Sequence, residues 1–220
     1  MFLGHFALAL AAKRVAPKAS LGTLVLSAQF ADSLWPVLLL WGFEQVRIVP
    51  GITRVTPLDF VSYPISHSLL MQLVWGLLLG GAYLRLRHDS YTAAMVGALL
   101  PTHWLLDYFA HRPDMPLYPG GPRVGLGMWN SLPLTLLVEF GLLVAGVILY
   151  FSATRSKGGR NFGYWSFVLF LAVIYPVSLF GPPPPDVRTL ALSALALSLT
   201  VPWTAWGDRQ REAKAANPAS

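Results

Sequence analysis

Six runs of about twenty mostly apolar residues leave this chain few folds to choose from. They cover 21–42, 64–84, 91–110, 132–151, 162–180 and 189–206, and a shorter run covers 2–12. A helix needs about 20 such residues to cross a ~30 Å hydrocarbon core. The six later runs meet that length. The first does not, and is expected either to reach residue 16 by letting Lys13 and Arg14 snorkel or to lie at the interface. No segment alternates like a barrel strand, so helices are the expected elements. Only 12% of the residues are charged and 55% are hydrophobic, where a soluble domain carries about 25% charged residues. The expected fold is all-α: a polytopic membrane helical bundle of six full transmembrane helices plus a short N-terminal helix. It forms one domain over 1–206, followed by a polar cytoplasmic tail over 207–220.

The connections are short and rich in Pro and Gly. "YPGGPRVGLG" (118–127) reads as an ordered loop with several turns, and "GPPPP" (181–185) as a polyproline link. Lys and Arg set the orientation. Eleven of the 16 fall in one set of alternate connections: Lys13, Arg14, Lys18; Arg85, Arg87; Arg155, Lys157, Arg160; Arg209, Arg211, Lys214. Five fall in the other: Arg47, Arg54, Arg112, Arg123 and Arg188. The positive-inside rule puts the first set, with the C-terminus, in the cytoplasm. The connections 43–63, 111–131 and 181–188 then face outward. The net charge of +6 is spread over loops with no basic stripe, so the expected partner is the lipid bilayer and not nucleic acid. The start, "MFLGHFALALAAKR", has its charges after its apolar run, unlike a cleaved signal peptide, and is expected to stay on the mature protein. The absence of Cys excludes disulfides and thiolate metal ligands.

Against this apolar background, an ionisable residue at membrane depth is costly and marks a functional site by default. His5, Asp32, His67, His103, Asp107 and Glu139 are such residues. Placed on their helices, they fall at comparable depths toward the outer side. The stretch "PTHWLLDYFAH" (101–111) puts His103, Asp107 and His111 four apart, on one helix stripe. Imidazole and carboxylate together bind zinc and other divalent first-row metals. Such an ion lowers the pKa of a water and makes a nucleophile.

Other roles stay open for each residue. His103 and Asp107 also suit an interhelical hydrogen-bond pair, and His67 in "SHSLL" a helix cap. Glu139 is expected to support the site or transfer protons, paired with Arg112 or Arg123. His111 is the other candidate for proton transfer, or else marks a helix end. Trp129 and Asn130, in "GMWNSLP", line the mouth of the site or cap the next helix.

His5, Asp32, "SHSLL" at 66–70 and "HWLLD" at 103–107 together resemble the bacterial membrane-bound metal-dependent hydrolase family, over roughly residues 1–111. That family looks like a membrane-embedded relative of the zinc-dependent phospholipase C and nuclease group. The resemblance implies that His5, Asp32, His67, His103 and Asp107 hold a divalent metal, zinc or manganese. It implies hydrolysis of a phosphoester or lipid-linked substrate at the outer face of a bacterial cytoplasmic membrane. Arg112 and Arg123 are then candidates to hold phosphate oxygens. The chain departs from the family pattern in having only Asp32 in "QFADSLWP" and Ser62 where another His often stands. Those departures limit the site to one or two ions. The rival readings are a proton or cation transporter and a protein whose metal only ties helices together.

Overall fold

The computed structural model describes residues 1–159 and 161–214 and is mostly helical. The chain begins with α1 (Leu3–Ala12), α2 (Leu21–Ala28) and α3 (Phe30–Leu40). A hairpin of β1 (Gln45–Ile48) and β2 (Leu58–Ser62) follows, then the single-turn α4 (Pro64–His67). Two long helices, α5 (Leu69–Arg87) and α6 (Ser90–Ala110), lead to a small hairpin of β3 (Met115–Pro116) and β4 (Arg123–Val124). A 3-10 turn (Met128–Asn130) enters α7 (Leu132–Ala153), which runs into β5 (Thr154–Ser156). The chain continues through α8 (Phe162–Phe180), α9 (Val187–Ala196) and, after a 3-10 turn, α10 (Thr200–Arg209) and β6 (Arg211–Ala213).

Among the described residues four helices are long and apolar enough to cross a membrane: α5, α7, α8 and the continuous unit Val187–Arg209. The pair α2 and α3 makes a fifth span if counted together, but bends by 53° at Gln29. The sixth expected span corresponds to α6. It is 21 residues long, yet Pro101, Thr102, His103, Asp107 and Tyr108 lower its apolarity and it falls outside that set.

Other expectations are corrected too. The first helix is 10 residues long and packs inside the bundle. It is enclosed against α2, α6 and α7, with Leu3, His5, Phe6, Ala9 and Leu10 buried. An enclosed helix has no need of a full span's length. Lys13 does not snorkel; it is buried, with Nζ 2.8 Å from Asp208 Oδ2 and 2.7 Å from the Ala19 carbonyl oxygen. The connections hold strands as well as turns. The expected tail is structured as far as Lys214, because Arg211–Ala213 pair antiparallel with Thr154–Ser156; 215–220 lie outside the described residues.

Small residues bring the helix backbones together. A Cβ on Gly76 of α5 would lie 2.5 Å from the Gly97 carbonyl oxygen of α6, and one on Gly146 of α7 would lie 2.7 Å from that of Ala7 in α1. This is the close approach that small residues permit between membrane helices. Ser20, Ser68 and Asp89 cap α2, α5 and α6 by accepting from the backbone N–H three residues on, each worth about 1 kcal/mol.

Candidate metal centre

The five expected ligands come from four helices, α1, α3, α4 and α6, and meet at one place. His5, His103 and Asp107 form one group, and Asp32, His67 and His103 a second; within each, the candidate ligand atoms lie within 4.8 Å of one another. His5 Nε2 and Asp107 Oδ1 are 3.0 Å apart, His103 Nε2 and Asp107 Oδ2 3.0 Å, and His67 Nε2 and Asp32 Oδ1 3.4 Å. The rings of His5 and His103 stack with centroids 3.6 Å apart. The amino nitrogen of Met1 also contacts Asp107 Oδ1.

Local structure explains how each side chain is aimed. The bend at Gln29 ends α2 at Ala28, and the last carbonyls of a helix lack partners within it. His103 Nδ1 lies 2.7 Å from the Ala28 carbonyl oxygen. A carbonyl only accepts, so Nδ1 carries the proton. In the neutral ring Nε2 is then an unprotonated lone pair, directed into the cluster. Asp107 Oδ2 lies 3.0 Å from it. His67 is fixed by the same reasoning. Ser66 Oγ donates its single hydrogen to Glu44 Oε2 at 2.6 Å, so at 2.7 Å from His67 Nδ1 it accepts. His67 therefore also presents a bare Nε2, toward the Asp32 carboxylate. Imidazole nitrogens facing carboxylate oxygens in a buried site favour positive charge there, which a proton on the ring or a bound cation supplies, since unpaired buried charge is expensive. Metal-ligating histidines characteristically donate their other ring N–H to an outer partner in this way. The residues present thus fit a divalent ion.

Glu139 lies beside this cluster but not in an arginine pair, contrary to expectation. Its oxygens accept from the backbone N–H groups of Phe2 and Gly4 at 2.9 and 2.8 Å, the free donors at the start of α1. A carboxylate is favoured there by the helix dipole. His111 lies at the end of α6. Its Nδ1 is 3.0 Å from Asp114 Oδ1, its Nε2 is 3.9 Å from Asp107 Oδ1, and Trp129 packs on its ring with centroids 4.2 Å apart. Burial holds the His111 imidazole below its ordinary pKa, against the pull of Asp114 and Asp107. Burial acts to raise the Asp114 carboxyl, but hydrogen bonds from His111, Tyr63 and Arg112 outweigh it and hold the group low.

The cluster forms one end of a cavity of about 300 Å³. Asp32, His67, Asp107, His111, Glu139 and Trp129 all line it. Arg112 and Arg123 do not. Arg112 pairs with Asp59 Oδ1 at 2.5 Å and Asp114 Oδ2 at 3.2 Å, and Arg123 donates to the Val61 carbonyl oxygen at 2.7 Å. Both line a separate surface pocket with Arg47 and Asp59. Asn130 closes the 3-10 turn and is not among the cavity's lining residues, and the cap position of α7 belongs to Ser131. Sequence reasoning missed Glu44, Tyr63 and Asp114, and took Ser66 only as part of "SHSLL". Only Glu44 left a trace, as a lone carboxylate directly after an apolar run.

No family model matches the chain, and no curated protein or solved structure matches it either.

Proposed function

We propose that the protein is a membrane-embedded metal-dependent hydrolase acting on a phosphoester at the outer face of the membrane. The observation that carries this reading is the pair of Nε2 atoms, on His67 and His103, that face carboxylates beside a cavity while each ring's Nδ1 is held by an outer partner. His5, Asp32, His67, His103 and Asp107 hold the ion. His103 has one free nitrogen, because Ala28 occupies the other, so it serves one ion and not two. A bound divalent metal supplies Lewis acidity for phosphorus chemistry and makes water a nucleophile at neutral pH.

The protein's own groups do the rest. His111, oriented by Asp114, has its Nε2 turned toward Asp107 and the cavity, where it takes a proton from the attacking water. As the new P–O bond forms, the bond to the leaving oxygen breaks, and the same proton passes to that oxygen. Glu139 holds the start of α1 and so places His5. Arg112 and Arg123, tied to Asp59, Asp114 and Val61, leave phosphate binding to the metal centre.

The transport reading is less favoured. Between the cluster and the charged network at the opposite end, where Lys13 meets Asp208, the interior is packed with Leu10, Leu24, Val25, Val96, Leu99 and Leu143. Orientation follows the distribution of Lys and Arg, with the metal centre outside and the β5–β6 end in the cytoplasm; α6 is the sixth crossing helix, its polar stripe turned to the protein interior. The test is turnover of phosphoester lipids by chelated and metal-reloaded protein. The reading predicts that activity returns with zinc or manganese and is lost in Asp107→Ala. Reloaded protein that cleaves no phosphoester would contradict it.

A further inference from the structure

Consecutive helices α8 and α9 are joined by only a few residues, yet their backbones stay apart. The backbone of α9 runs along α3, while α10 runs along α2 and α8. The link between α8 and α9 contains four successive prolines, 182–185, a stiff extended segment. The cavity of the metal centre extends into the space between these helices. Ser178 and Leu179 of α8 form one wall, and Leu190, Ala194 and Leu197 the other, with Pro184 beside them. These residues are half-buried or exposed. The neighbouring side chains Val177, Phe180 and Leu192 face outward, on helices apolar enough to lie in a bilayer. At the metal centre the ligands differ in access. The Asp32 side chain is 42% exposed, whereas His103 and Asp107 are at 3% or less.

We infer that the cavity is a lateral portal: a long-chain lipid phosphoester enters from the outer leaflet between α8 and α9. Its chain lies along Leu179, Ala194 and Leu197, and its phosphate reaches the Asp32 side of the centre. A cavity of about 300 Å³ is at the small end for ligand sites. It accommodates a headgroup and the start of a chain, and an opening to the bilayer lets the remainder stay in lipid. A soluble phosphoester would have no use for this apolar wall. The chemistry done on the lipid rests on the hydrolase reading; the portal does not.

The experiment uses the full chain in lipid nanodiscs containing a phospholipid with a photoactivatable diazirine on its acyl chain. Labelled residues are mapped by mass spectrometry, and metal content is measured in the same samples. The portal predicts labelling at Leu179, Ala194 and Leu197 at least tenfold above that at Leu77 and Leu78, outward residues of α5. It also predicts a several-fold loss of that labelling in Ala194→Trp, with metal content unchanged. Equal labelling of α5 and the α8–α9 walls, or no effect of Ala194→Trp, would overturn it. Preferential labelling of protein that binds no metal supports the portal and removes the hydrolase reading. Metal-loaded protein with even labelling does the reverse.

Discussion

His103 Nδ1 sits 2.7 Å from the carbonyl oxygen of Ala28, the residue at which the second apolar segment breaks. The bend thereby sets the chemistry of a ring on another helix, leaving one nitrogen of His103 for a ligand. The two candidate ligand groups share that ring. One ion per chain is therefore expected after saturation and removal of excess zinc, measured by elemental analysis against protein concentration. Two tightly held ions per chain would mean that the Ala28 contact does not persist.

Glu44 is buried and accepts from Ser66 Oγ and from the backbone N–H groups of Ile65 and Ser66 at 2.6 to 2.8 Å. Through Ser66 it holds His67. Loss of such an outer partner typically weakens metal binding by about 10–100-fold. Glu44→Gln and Ser66→Ala should each show a loss in that range in competition titrations with a zinc chelator. The double variant should be little worse than either, because both act along one path. Losses that simply add would show two independent effects.

Lys13 and Asp208 form a buried pair that joins α1 to α10, and Tyr150 also donates to Asp208, at 2.8 Å. Lys13→Ala leaves that carboxylate without its cation, a change that typically costs roughly 3–5 kcal/mol. A clear drop in the thermal unfolding midpoint in detergent is expected, with metal stoichiometry unchanged in the folded fraction. A midpoint equal to wild type would indicate that Lys13 reaches water.

Asp114 accepts from His111, Tyr63 and Arg112, and its folded pKa lies below the unfolded value. A depressed carboxyl contributes stability above its unfolded pKa and loses it as the pH falls through the folded one. Asp114→Asn should therefore be less stable than wild type at neutral pH. The gap should close as the pH drops below about 4, the ordinary range for Asp. A gap that is constant with pH would assign the effect to packing alone.

The cluster of polar side chains was largely legible in the sequence, because isolated polar residues in long apolar runs stand out and their helix positions suggest their depth. His5, Asp32, His67, His103 and Asp107 needed no more than that. The residues that aim them were hidden. Glu44, Tyr63 and Asp114 lie in the connecting segments, and their roles depend on how two hairpins fold back over the helix ends. Nothing in "SAQFADS" marks the bend at Gln29, since the stretch holds neither Pro nor Gly. Glu139 was expected to meet an arginine. Its actual partners are backbone groups of α1, a short helix whose enclosure comes from packing against α7 through Gly146. The same enclosure holds a first helix shorter than a span, and α6, with its polar stripe turned inward, differs likewise from a lipid-facing span.

Five side chains are positioned to hold one divalent ion. The most direct test of that role is the metal content of protein purified in mild detergent and reloaded with zinc, for wild type beside His103→Ala, Asp107→Ala and the distant Lys214→Ala. Close to one ion per chain is expected in wild type and Lys214→Ala, and loss of the ion in the other two. Folded wild type that takes up no metal, or His103→Ala and Asp107→Ala proteins that hold it as tightly as wild type, would contradict it.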